Sequence, residues 1–150
     1  MKDEEIFQMD LCSVAAHEVA HAVAFWTFGV SCEISIAPAP SPREHERLML
    51  GNCRLGPGAA KLPDRDYAIC CLAGTFGTFV LDATEDELFW PEEWLLHSNS
   101  ISDTDREGIE RYYDGDLEGN LDEKGIQLVE ATAQLLVSKR SQLAEVTDHL

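Results

Sequence analysis

The sequence predicts a mainly helical α+β domain with one small β-hairpin or sheet after its first helix. Three observations point there. Residues 11–28 form an apolar stretch with helix punctuation at both ends. Residues 32–37 (CEISIA) form one short alternating run rich in β-branched types. The segments that follow carry apolar residues at helical spacing. With 150 residues and 45% apolar content, the chain is long enough for one domain with its own core, and residues 1–150 are read as that single domain.

Taken in order, Asp10 can cap a helix running to about Phe28, with Gly29 as its stop. Val14, Ala15, Val19, Ala22, Val23, Phe25 and Trp26 make that helix apolar around most of its surface, which suits a core position. Pro38, Pro40 and Pro42 end the strand at 32–37 and enforce a loop. Leu48 to Leu55 reads as a returning strand, with Gly51-Asn52 as a turn or bulge. Pro63-Asp64 opens a second helix to about Leu81, with Ile69, Leu72, Ala73, Phe76 and Val80 at helical spacing. Pro91 suits the first turn of a short helix over Glu92 to His97. Ser102 or Thr104 caps a further helix to about Tyr113, closed by Asp114-Gly115. Ile126, Val129, Ala133, Leu136 and Leu143 mark one long amphipathic helix from Leu121 to the end.

Charge narrows the function classes. With 28 acidic against 11 basic residues, the net charge is −17. A polyanion repels phosphate backbones and anionic bilayers, so neither nucleic acid nor a membrane is expected as a partner. The stretch 11–28 contains His17, Glu18 and His21, which are costly in lipid, and it lacks a basic flank. It is read as neither a membrane span nor a signal peptide. Cys12, Cys32, Cys53, Cys70 and Cys71 form an odd set without a CxxC pair. They read as buried thiols in a reducing, cytoplasmic compartment, not as a disulfide frame.

The chemistry sits in His17-Glu18-Val19-Ala20-His21, an HExxH sequence. On a helix, residues i and i+4 share a face one turn apart. Two imidazoles there can bind one zinc ion with a third ligand and leave a position for water. The ion lowers the water's pKa, and Glu18 is placed to take its proton as general base. The neighbours Val14, Ala15, Ala16, Val19, Ala20, Ala22 and Val23 are all uncharged, so the helix is buried. Two histidines and a glutamate in such a helix need a compensating partner, and a metal is one.

The residues alone leave the third ligand open among His45, His97, Asp103, Asp105 and the acids of 85–93. His45 falls in a charged loop, and His97 at a helix end where the helix dipole also accounts for it. Asp105 shares a face with Ile109, Tyr112 and Tyr113, which turns it inward. An acid in the first helical turn is equally well explained by the dipole. Asp103 shares a face with Glu107 and Glu110, as a solvated or capping residue does.

Beyond these readings, the chain resembles the peptidase domain of the FtsH family, the ATP-dependent zinc metalloproteases. Ala16-His17-Glu18-Val19-Ala20-His21-Ala22-Val23 is similar to that family's HEAGHAV helix, with Ala20 where Gly is usual. Gly29 and Ile34-Ser35-Ile36-Ala37-Pro38 are similar to the strand and proline that follow it. Leu72-Ala73-Gly74-Thr75-Phe76-Gly77-Thr78 resembles the small-residue LGGRAAE helix, with Thr78 where Glu is expected. Ser102-Asp103-Thr104-Asp105 resembles the SNDL segment whose Asp completes the zinc site. That Asp corresponds to Asp105 if the downstream helix sets the register, and to Asp103 if the preceding Ser does. The last helix, through Leu135-Leu136 and Arg140-Ser141-Gln142-Leu143-Ala144, is similar to the family's C-terminal helix.

The resemblance implies a zinc peptidase fold in which His17, His21 and Asp105 hold Zn2+ and Glu18 activates water. The family's ATPase module and membrane anchor have no counterpart in these 150 residues, which contain no GK[ST] phosphate loop. The implied substrate is therefore a flexible or already unfolded polypeptide. Homo-oligomerisation is left open. The competing expectation is a catalytically silent binding or regulatory module on the same fold, which the replacement at Thr78 favours and the presence of Glu18 opposes.

Overall fold

The computed structural model of the chain describes residues 3–38, 49–84, 91, 94, 101–117, 119 and 121–149. It is mainly helical with one small two-stranded antiparallel sheet, as the sequence predicts. The order is α1 (Asp3–Thr27), β1 (Cys32–Pro38), β2 (Met49–Leu55), a 3₁₀ turn (Ala59–Lys61), α2 (Asp64–Asp82), α3 (Asp103–Glu110), α4 (Glu123–Ser138) and α5 (Arg140–Asp148).

Helix α1 begins seven residues before the expected cap, so Asp10 lies inside it. Its end follows expectation. Gly29 takes φ 81°, and the amides of Gly29 and Val30 donate to the carbonyls of Trp26 and Phe25 at 3.0 and 2.9 Å. This αL closure is strained for residues with a Cβ.

Strand β1 pairs with β2 in unbroken register, including Ile36 with Gly51 and Ser35 with Asn52. The expected turn or bulge at Gly51-Asn52 is therefore absent; both residues belong to the ladder. Alternation along β1 leaves Cys32, Ile34 and Ile36 half-buried and Glu33, Ser35 and Ala37 exposed. The covered face packs on α1.

Helix α2 crosses α1 through Ala68, Ile69, Leu72, Ala73, Phe76 and Val80, all buried against a cluster that includes Val19, Ala20 and Val23. Phe76 and Phe79 both pack on Trp94, with ring centroids 5.4 and 5.3 Å away. The short helix expected at Glu92 to His97 lies outside the described residues except for Trp94. Helix α3 ends at Glu110 rather than Tyr113, where the amide of Tyr112 makes the tighter three-residue bond back to the carbonyl of Ile109.

The long C-terminal helix is two helices. At Lys139 the backbone leaves helical values (φ −111°, ψ 13°). The Ser138 hydroxyl donates to the Leu135 carbonyl at 2.7 Å, a local bond that competes with the helical ladder and bends it. The bend lets Leu136 and Leu143 both reach the core. Among the described residues, no helix is long and apolar enough to cross a membrane.

Candidate metal centre

The HExxH segment is helical throughout, so His17 and His21 stand one turn apart on α1. Their Nε2 atoms lie 3.0 Å apart, and the rings meet edge to face with planes at 86°. The third member comes from α3, 84 residues further along. Asp105 Oδ2 is 3.2 Å from His21 Nε2 and 3.3 Å from His17 Nε2. The local sequence fixes that helix: Ser102 is its N-cap, and its hydroxyl accepts the amide of Asp105 at 3.3 Å.

The three atoms thus form a nearly equilateral triangle. A tetrahedral ion with bonds of about 2.0–2.1 Å separates its ligand atoms by about 3.3 Å. Among the described residues, this is the one group of three or more His, Cys, Asp and Glu side chains whose ligand atoms converge in this way. Asp103 is exposed in the first turn of α3 and is not part of it. His45, His97 and the acids at 85–87 and 92–93 lie outside the described residues.

One support was invisible in the sequence. His21 Nδ1 donates to the main-chain carbonyl of Cys70 at 2.8 Å. A carbonyl only accepts, so Nδ1 carries a proton, and in the neutral imidazole the Nε2 lone pair is the one left facing Asp105 and His17. No residue type announces this role, because any residue at position 70 offers the same carbonyl.

The electrostatics follow from the triangle. Burial works to raise the Asp105 pKa, but hydrogen bonds and charge from His17 and His21 hold it well below the usual carboxylate range. Burial works to lower that of His21. The hydrogen bond and charge of Asp105, the Cys70 carbonyl and the charge of Glu18 outweigh it, and His21 ends above its ordinary 6.5. Three lone-pair atoms packed this closely repel one another unless a proton or a cation lies among them.

Glu18 is buried, at 8% exposure, between the two histidines in sequence. His17 is the open side of the site, with 19% of its side chain exposed. Of the thiols expected to be buried, Cys70 and Cys71 are, Cys32 and Cys53 are half-buried and Cys12 is exposed, because it lies on an open part of α1; none joins the metal-ligand group. Burial pushes Cys71 up to about 12 and raises Cys70 as well, so both are neutral thiols in the metal-free protein. Cys32 and Cys53 lie diagonally across the ladder on the covered side of the sheet, and the hydrogen bond from Cys53 lowers the Cys32 thiol against the opposing effect of burial.

No protein-family model matches this chain, and no curated protein matches it either.

Proposed function

We propose that this chain is a zinc-dependent metallopeptidase of the FtsH-like kind, acting on flexible or unfolded polypeptides. One observation carries the reading. Two imidazole nitrogens and a carboxylate oxygen from two distant helices converge within 3.3 Å, with the His21 tautomer set by a backbone carbonyl. His17, His21 and Asp105 are the residues that would hold the ion. A bound zinc ion supplies Lewis acidity, acidifying water and polarising a carbonyl. Glu18 takes the proton of the attacking water as the oxygen adds to the scissile carbonyl carbon, then passes it to the leaving amine as the C–N bond breaks. Partial exposure of His17 supports entry of substrate from that side. Five free thiols accord with a reducing, cytoplasmic setting.

The test is zinc content and casein cleavage for the wild type and Glu18→Gln. Zinc in both proteins with cleavage by the wild type alone is the expected result. Zinc in both with cleavage by neither selects the silent binding module, which the threonine at position 78 favours. Absence of zinc from the wild type overturns the peptidase reading.

A further inference from the structure

Two glycines lie against the ionisable side chains of the HExxH segment, each from a different element. A Cβ built on Gly74, in the middle of α2, would overlap His21 Nε2 and lie 2.5 Å from Cε1 and 2.8 Å from Cδ2 of the same ring. Comfortable contacts between such atoms need about 3.5–4.0 Å. The ring cannot swing away freely, since Nδ1 is tied to the Cys70 carbonyl and the residue is 6% exposed. Cys70 and Gly74 are four residues apart on α2, hence one above the other on one face. That single turn offers a carbonyl at one level and a bare Cα at the next.

Gly51 does the same from β2. A Cβ there would lie 2.6 Å from Glu18 Cγ, 2.6 Å from Val14 Cγ1 and 3.1 Å from Glu18 Oε1. Glycine weakens both helix interiors and strands, so its presence at these places has a local cost that close approach explains.

Resting on the metallopeptidase reading, we propose that Gly74 and Gly51 are positioning residues of the centre. Gly74 leaves the space that seats the His21 ring with Nε2 toward Asp105. Gly51 leaves the space that holds the Glu18 side chain against the strand.

Gly74→Ala and Gly51→Ala are compared with a remote control, Gly125→Ala, whose new Cβ would crowd the Tyr113 hydroxyl at 2.6 Å. The readouts are zinc affinity by chelator competition, the visible spectrum of the cobalt-loaded protein, and kcat, KM and the pH profile on casein. Gly74→Ala is expected to weaken zinc by roughly 10–100-fold, the usual effect of disturbing a ligand's support, and to shift the cobalt bands. Gly51→Ala is expected to keep zinc affinity and the cobalt bands, and to lose up to roughly 100-fold in kcat with a small change in KM. Gly125→Ala should lower Tm alone. An unchanged cobalt spectrum and zinc affinity in Gly74→Ala, or an unchanged kcat in Gly51→Ala, overturns the corresponding assignment.

Stability cycles on the metal-free protein separate this idea from the functional reading. Gly74→Ala should destabilise the wild type yet be neutral or stabilising in His21→Ala, where the ring is gone. Gly51→Ala should cost less stability in Glu18→Ala than in the wild type. Equal penalties in both backgrounds overturn the seats, even where a variant proves too unstable for metal titration. A wild type that binds no zinc, with the cycles as expected, overturns the metallopeptidase reading and leaves the seats standing.

Discussion

Asp105 and Asp103 differ by two positions on one short helix, yet only Asp105 reaches the imidazoles. Asp105→Asn should therefore weaken zinc binding by more than the roughly 10–100-fold that loss of a supporting hydrogen bond costs, while Asp103→Asn leaves it unchanged; isothermal titration with zinc checks both. The pKa shifts give a second prediction. His21 is raised, so in the metal-free protein its stabilisation is present below pH 6.5 and is lost as pH climbs through the folded value. Asp105 is depressed, so its contribution is present above 3.8 and disappears as pH falls through the folded value. The metal-free protein thus loses Tm as pH rises from 6.5 through the folded His21 value. Zinc needs the neutral imidazole, so its affinity moves the opposite way and falls as pH drops through the raised His21 value. Melting curves with and without zinc across that range should diverge.

Each element of the site has its own local determinant. Ser102 closes the N-terminus of α3 and holds the amide of Asp105, so Ser102→Ala should cost about 1 kcal/mol in urea denaturation and weaken zinc as α3 frays. Helix α2 carries the load between α1, α3 and α4. Its Leu72 is fully buried, and Leu72→Ala should cost about 2–5 kcal/mol in the same measurement. The elements were legible where their signals are local. Periodic apolar residues marked α1, α2 and α4, and alternation marked β1. Boundaries failed where a competing local bond decided them, as at Ser138 in the C-terminal segment and at Ile109 in α3. Gly51 misled for a different reason. Glycine suggests a turn, but here it stands in a regular ladder because Glu18 and Val14 leave no room for a side chain.

For the whole molecule, two opposing terms set stability. A net charge of −17 on 150 residues repels itself in the compact state. Salt shortens the Debye length from about 10 Å at 0.1 M to about 3 Å at 1 M, so Tm of the metal-free protein should rise with sodium chloride in scanning calorimetry. A metal that binds only the folded form adds stability by mass action, about 2.7 kcal/mol at 100 times its Kd. Zinc should accordingly raise Tm in the wild type and leave Tm unmoved in His21→Ala, whose triangle is broken.

The spacing of His17, Glu18 and His21, the helix beneath them, the strand after it and the acidity of the chain were all written in the sequence. Helical and strand periodicities are properties of neighbouring residues, and a turn of helix joins positions four apart without help. The choice of Asp105 over Asp103, the Cys70 carbonyl behind His21 and the bare glycines beside His21 and Glu18 belong to the folded molecule. Asp105 and Cys70 are 84 and 49 positions distant from His21, and contacts of such span exist only once packing has set α2, α3 and the sheet against α1.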